Sequence, residues 1–182
     1  MRNNNGYTLL ELLVTVAVAT TLATVGLPRM NTFILNNLRA AEVNEFIATM
    51  AYARSEALKR GYRVSLCRTA DNAAPLPTCG TGNGWEDGWI VFRDENRNNQ
   101  PDSGADILLV HEALHANTTL RGDTNVATRI SYAPSGRTAA TFGNLVRCDE
   151  RGHLQSRVIT FPLSGRVRTS PGEADTDCTP LN

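Results

Sequence analysis

The chain begins with a long run of apolar positions that a single charged residue interrupts. Residues 7–27 are apolar apart from five threonines, one glycine and Glu11. About 20 such residues are enough to cross a bilayer as one helix, so this run predicts a transmembrane helix. A carboxylate inside such a helix costs about 2.5–3.5 kcal/mol on insertion scales. Glu11 is therefore a candidate functional residue that needs a partner.

After Pro28 the apolar positions recur at helical spacing. They follow one another at steps of mostly three to five residues, which indicates an amphipathic helix with one buried face. Gly61 follows two cations, Lys59 and Arg60, and is placed to cap the helix. The apolar positions are Leu35, Leu38, Val43, Phe46, Met50, Ala53, Ala57 and Leu58.

From Tyr62 onward the period of the apolar positions changes from 3.6 to 2, which indicates strands. The residues between the last two predicted strands, Leu163-Ser164-Gly165, predict a hairpin turn. A long N-terminal helix followed by antiparallel strands is an α+β fold. The predicted strands are 63–67, 89–92, 107–114, 128–132, 144–148, 157–161 and 166–169.

The composition narrows the function classes. A chain of 182 residues with formal net charge zero fits one anchor and one globular domain, with no global field toward nucleic acid. Four cysteines, all beyond the anchor, suggest disulfides. We favour Cys67–Cys79 and Cys148–Cys178, because each pair closes a short polar loop. A zinc site is the alternative, but no C-x-x-C spacing is present.

The residues before the apolar run identify the kind of anchor. A secretory signal peptide has its small-residue cleavage site after the apolar core, whereas Gly6 lies before it. The sequence G-Y-T-L-L-E from Gly6 to Glu11 resembles the prepilin processing motif of type IV pilins and type II secretion pseudopilins. The resemblance implies that a prepilin peptidase cuts after Gly6 and methylates Tyr7, and that Glu11 becomes the fifth mature residue. A transmembrane anchor without an assembly role is the alternative.

Several segments of the head are similar to the FimT/GspH group of minor pilins and pseudopilins. The resemblance implies a type IV pilin fold, in which the helix packs against an antiparallel β-sheet head. It also implies partners, namely other pilins or pseudopilins, and a single-pass inner-membrane protein with a periplasmic head. The similar segments are 53–57, 64–67, 84–85, 87–92 and 164–167.

These expectations divide the chain into four parts. They are a leader (1–6), a transmembrane and assembly helix (7–27), an amphipathic helix that continues into the head (28–61) and the β-rich head (62–182).

Two arginines in the predicted hairpin are candidates for DNA binding. On a strand, Arg166 and Arg168 would project from one face about 6.6 Å apart, close to the spacing of successive phosphates. An edge strand protected by charge is the alternative from spacing alone. FimT-like pilins with a G-R-x-R motif, here Gly165, Arg166 and Arg168, are implicated in DNA binding during natural transformation. Arg137 would join the patch if the two Ser-Gly-Arg turns lie side by side.

The sequence His111-Glu112-Ala113-Leu114-His115 matches the H-E-x-x-H signature of zinc proteases. That signature requires a helix, which places both histidines on one face. The preceding residues are typical of a strand, on which the two histidines would lie about 13 Å apart. Only His153 remains as a third ligand. A zinc protease is therefore a remote alternative.

Asp94, Asn96, Asn98 and Asp102 alternate through one loop, as the oxygen ligands of a calcium loop do. The loop lacks the Gly and Glu that such loops carry at positions six and twelve, so a solvated turn is the better prediction. No cofactor and no catalytic residues are predicted. The sequence favours a minor pilin of a type IV pilus that binds DNA, with a GspH-like pseudopilin as the alternative.

Overall fold

The computed structural model describes residues 7–139, 142–173, 176 and 178. The chain forms two compact units, Met1–Ala41 and Glu42–Asn182. A single long helix, α1 (Leu9–Arg60), contributes residues 9–41 to the first unit and residues 42–60 to the second.

The first unit contains the apolar segment at the start of α1. By length and composition α1 can cross a membrane. Its apolar side chains are exposed along the first turns; Leu9 and Leu10, for example, are 76% and 72% exposed. The hydroxyl of Thr8, just before the helix, accepts a hydrogen bond from the backbone N–H of Glu11 (3.2 Å). Thr8 thus caps the helix N-terminus, where one N–H would otherwise lack an acceptor.

The described residues of the second unit form the rest of α1, two β-sheets and three short 3-10 helices (Trp85–Asp87, Gly104–Asp106 and His153–Gln155). Both sheets have four antiparallel strands, in the orders β3-β2-β1-β5 and β4-β6-β7-β8. The strands are β1 (Val64–Arg68), β2 (Trp89–Arg93), β3 (Ile107–His111), β4 (Thr119–Gly122), β5 (Arg129–Tyr132), β6 (Gly143–Cys148), β7 (Arg157–Phe161) and β8 (Arg168–Pro171).

The helix packs as its apolar spacing predicts. The side chains at positions 43, 46, 50, 53 and 57 are buried, and the aromatic ring of Phe46 makes edge-to-face contacts with Trp85, Trp89 and Phe161. Leu58 is an exception, since it is 52% exposed, and Leu35 and Leu38 are only partly buried. Gly61 caps the helix as predicted: its φ is +73° and its N–H donates to the carbonyl of Ala57.

One hydrophobic core joins the helix to both sheets, with side chains from β1, β2 and β5 on one side and from β4, β6 and β7 on the other. A second, smaller cluster covers the outer face of the first sheet, where Ile90 and Phe92 pack with the Cys67–Cys79 disulfide. Because β2 is covered on both faces, its sequence W-I-V-F is continuously apolar. The structure also forms the second predicted disulfide, Cys148–Cys178.

A buried ion pair between Glu42 and Arg147 links the helix to the second sheet. Arg147 of β6 is 1% exposed and donates to Glu42 Oε2 from both Nε (2.8 Å) and Nη2 (2.6 Å). Its Nη1 donates to Asp149 Oδ2 (2.6 Å), and the hydroxyl of Thr118 completes the cluster around Glu42. A buried charge is tolerated only when it is paired in this way.

Three predictions about strands are wrong. Strand β4 was not predicted, because only one of its four residues, Leu120, is buried and it pairs with the distant β6. Strand β3 ends at His111 and not at residue 114, because the N–H of Leu114 turns away to the carbonyl of Glu86. Strand β8 begins at Arg168, so Arg166 precedes it.

Candidate nucleic-acid interface

The two Ser-Gly-Arg sequences fold into the same kind of turn. In the first, which follows β5, the N–H of Gly136 donates to the carbonyl of Ala133 (2.8 Å). In the second, which follows β7, the N–H of Gly165 donates to the carbonyl of Pro162 (2.9 Å). Both glycines have positive φ, +73° and +74°, a conformation that other residues adopt only with strain.

The two turns pack against each other. A Cβ added to Gly165 would overlap the carbonyl oxygen of Gly136 and would lie 3.4 Å from the Cα of Arg137. The hydroxyl of Thr138 also donates to the carbonyl of Pro162 (3.3 Å). The condition for Arg137 to join Arg166 and Arg168 is therefore met, because this backbone contact brings their turns together.

The three arginines of the turns are exposed. Arg166 and Arg168 flank Val167, which is partly buried against the core, so the inward and outward alternation of a strand continues although Arg166 lies outside β8. Among the described residues, no ion pair or side-chain hydrogen bond involves Arg137, Arg166 or Arg168.

Several arginines elsewhere in the head have carboxylate partners. Arg63 pairs with Asp94, Arg93 with Asp106 and Arg121 with Glu86. These guanidinium groups already have anionic partners within the chain, whereas those of the two turns are available to a ligand.

Two charged groups show how strongly such pairing acts on the pKa. Burial favours the neutral form of Asp149, but hydrogen bonds from Arg151 and Arg147 outweigh it, so the pKa of this carboxyl lies well below its ordinary value. At Asp106 the hydrogen bond from the Ser103 hydroxyl is the largest influence. Together with the bond from Arg93 it lowers the pKa of that carboxyl despite burial.

An apolar groove that the sequence did not reveal adjoins the second turn. It has a volume of about 410 Å³, lies between α1 and residues 165–167, and is lined in part by Arg54 and Tyr132. Tyr132 is 1% exposed. Within the described part of the chain, the Tyr132 hydroxyl and Arg54 Nε are buried atoms without a hydrogen-bond partner. No local pattern could have indicated this site, since Arg54 and Tyr132 are distant in sequence.

The H-E-x-x-H residues do not form a metal site. His111 ends β3, where its ring stacks on Trp89 and its Nε2 lies 2.9 Å from Glu45 Oε1. His115 follows in an irregular segment, and its Nδ1 lies 2.8 Å from the carbonyl of Ala116. The described residues contain no group of three metal-ligating side chains.

The polar side chains of the loop at 94–102 are engaged in hydrogen bonds, several of them within the loop. Asp102 accepts hydrogen bonds from the amides of Asn96 and Asn98 (both 2.7 Å). Asp94 is fully buried and accepts from the Ser65 hydroxyl (2.7 Å) and the backbone of Asn99 (3.2 Å). The side-chain oxygens of Asn96 and Asn98 accept from the backbone N–H groups of Asn98 (3.1 Å) and Gln100 (2.9 Å), as in Asx turns.

The predicted processing and assembly residues lie at the start of α1. Gly6 is outside the described residues, whereas Tyr7 is 87% exposed and Glu11 is also exposed. Glu11 occupies the third helical position, so T-L-L-E also has the spacing of an N-terminal capping sequence. That local role was missed in the sequence, although the T-x-x-E spacing signals it.

Comparisons with known proteins agree with this architecture. The family model described as type II transport protein GspH matches residues 42–165, and the model of the prokaryotic N-terminal methylation motif matches residues 1–27. No curated protein sequence matches the chain significantly.

Solved structures with the same fold include the type IV minor pilin FimU of Pseudomonas aeruginosa, strain PAO1, in two crystal forms. One form has 20% identity and a TM-score of 0.58, and covers 76% of this chain and 92% of FimU. The other has 19% identity and a TM-score of 0.54. The minor pseudopilin EpsH from the type II secretion system of Vibrio cholerae has 13% identity and a TM-score of 0.53, and covers 78% of this chain and 99% of EpsH.

Pilins and pseudopilins are in general structural proteins and not enzymes. They are anchored in a membrane by the N-terminal apolar helix, processed by a prepilin peptidase and assembled with other pilins. The GspH model covers more than half of the chain, which therefore belongs to the GspH family and is a minor pilin or pseudopilin of a type IV pilus or a type II secretion system.

Proposed function

We propose that this protein is a minor pilin of a type IV pilus that binds DNA without sequence preference during natural transformation. The observation that carries the proposal is the contact between Gly136 and Gly165, which joins the two segments that carry Arg137, Arg166 and Arg168. These three arginines are exposed and have no carboxylate partner among the described residues.

The chemistry of this patch suits phosphate groups. Guanidinium groups bind phosphate oxygens through paired N–H donors and stay charged at any physiological pH. Contacts of this kind position a protein on the DNA backbone but read no sequence. Since the net charge of the chain is zero, attraction to DNA has to come from a local patch of this kind.

Gel-shift of a random duplex by the full chain in zwitterionic nanodiscs tests the proposal. We expect the wild-type protein to shift the duplex at low salt and the double variant Arg166→Gln with Arg168→Gln to lose the shift. The control with the same change in charge is Arg97→Gln with Arg129→Gln, two arginines outside the turns, and it should keep the shift. An unchanged shift in the Arg166/Arg168 variant would contradict the proposal.

The start of the helix serves assembly in this proposal. The protein is stored in the inner membrane with its head in the periplasm, and cleavage after Gly6 frees the amine of Tyr7. Glu11 then pairs with that amine on an adjacent subunit, where an ion pair in a low-dielectric surrounding is far stronger than in water. The exposure of Tyr7 and Glu11 supports this assignment.

The second candidate is a minor pseudopilin of a type II secretion system, which the match to the GspH model and the likeness to EpsH favour. A strain that lacks the gene separates the two. A pilus function predicts lost DNA uptake with normal export of proteins, and a secretion function predicts the reverse.

A further inference from the structure

The groove beside the second turn has an apolar body and polar groups at its edge. Its apolar walls are formed by Ile47, Met50 and Leu58 of α1 and by Val167. Leu58 lies at the open side and is half exposed. Its volume of about 410 Å³ falls within the range of about 300–1,000 Å³ that is usual for small-ligand sites.

Two polar atoms in the groove indicate that it binds a ligand. Buried side-chain donors and acceptors in folded proteins nearly always have partners, so each exception needs an explanation. In the described part of the chain, the Tyr132 hydroxyl and Arg54 Nε are such exceptions, and both residues line the groove. A ligand that brings hydrogen-bond acceptors would satisfy both atoms.

The charged residues around the groove favour an anionic ligand. Arg54 and Arg166 line it, and none of the described residues that line it is acidic. Burial raises the pKa of Tyr132 to about 12, despite the opposing charge of Arg54, so its hydroxyl stays protonated and can donate. The fitting ligand is therefore flat or apolar in its body, rich in acceptors at its edge and attached to an anion.

We propose that the groove holds an unstacked base of single-stranded DNA, with the adjoining phosphates on Arg166 and Arg168. The proposal rests on the DNA-binding function above and extends it, because Arg166 belongs both to the arginine patch and to the groove. Each nucleobase has a flat apolar face for the walls and ring nitrogen or carbonyl acceptors for Arg54 and Tyr132. A duplex keeps its bases stacked, so it can use the arginines but not the groove.

The test compares oligonucleotides that have the same phosphates but differ in their bases. Affinities of the full chain in zwitterionic nanodiscs are measured by fluorescence anisotropy for a thymidine strand of about 12 nucleotides, for an abasic strand of the same length and for a duplex. We expect the thymidine strand to bind about five- to tenfold more tightly than the abasic strand, since a bound base contributes at least that factor.

Ala51→Phe is the variant that fills the groove, because Ala51 lines it and is exposed. It should reduce thymidine-strand affinity to that of the abasic strand and leave abasic and duplex binding unchanged. Ala48→Phe, an exposed alanine on the same helix that does not line the groove, is the matched control and should change none of the three affinities. Tyr132→Phe should remove part of the preference for bases.

The possible failures are distinguishable. Equal affinity of the wild-type protein for the thymidine and abasic strands would overturn the base site while leaving the arginine patch intact. A groove that instead takes a peptide carboxylate from a neighbouring pilin would give this result. If the wild-type protein binds none of the three nucleic acids, the proposed function fails and the base site fails with it.

Discussion

The backbone of Gly165 lies directly against the carbonyl oxygen of Gly136, with no room for a side chain between them. The ring of Tyr132 closes the site from another direction, 3.2 Å from where a Cβ would be. The glycine of the G-R-x-R motif thus has a physical role of its own, since it lets the two turns meet.

Gly165→Ala should therefore lower both stability and DNA affinity. A residue with a side chain at this φ costs about 1–2 kcal/mol, and the overlap with Gly136 adds to it. Gly152→Ala is the matched control, because Gly152 has a similar φ (+78°) but nothing within 4 Å of the added Cβ. Urea unfolding of both variants checks this. Equal destabilisation would show that the contact between the turns contributes nothing.

Removing one partner of the buried ion pair should destabilise the head. Glu42→Gln leaves the guanidinium of Arg147 with Asp149 alone, and unpairing a buried charge costs about 3–5 kcal/mol. We expect a loss near the lower end of that range, because Asp149 remains in place. Glu56→Gln, which breaks the pair with the more exposed Arg60, should have a smaller effect on the same urea unfolding curve.

Stability should depend on pH in the acid range. The pKa of Asp149 is lower in the folded protein than the value of about 3.9 for an unfolded chain. The folded state therefore binds fewer protons, and the stabilisation is complete above the unfolded pKa and lost as pH falls through the folded pKa. Asp106 acts in the same direction.

Unfolding of wild type and Asp149→Asn between about pH 6 and pH 2 measures this contribution. The variant should be less stable at neutral pH and lose less stability on acidification. Parallel curves for the two proteins would mean that Asp149 does not carry the dependence.

Glu11→Ala should separate membrane insertion from assembly. Without the carboxylate the helix is more apolar, so it should still insert and be processed. It should be absent from purified filaments, because the partner of the Tyr7 amine is gone. Glu11→Asp, which keeps the charge, should retain part of the assembly. Normal incorporation of Glu11→Ala would contradict the pairing.

Local patterns predicted the parts of this fold that local forces determine. The helix and its buried face follow from the spacing of apolar residues. The cap follows from the glycine at position 61. The hairpin of β7 and β8 follows from a turn between two short strands. The disulfide Cys67–Cys79 also follows, since it closes a short loop, whereas Cys148–Cys178 spans 30 residues that include β7 and β8.

Features set by distant contacts were not predictable in this way. The division into two sheets depends on pairings such as β4 with β6, and no single segment encodes it. Arg166 and Arg168 were predicted from their motif, but Arg137 only under the condition that the two turns lie side by side, which depends on the contact of Gly136 with Gly165. The groove needs Arg54 and Tyr132 together, and neither residue indicates it alone.

The salt dependence of DNA binding tests the arginine patch most directly. Three phosphate contacts predict that the logarithm of the affinity falls with the logarithm of salt concentration with a slope of about −2.7. Removing two contacts in the Arg166→Gln, Arg168→Gln variant should reduce the slope to about −0.9, whereas the Arg97→Gln, Arg129→Gln control should keep the wild-type slope. A wild-type slope in the Arg166/Arg168 variant would show that DNA binds elsewhere.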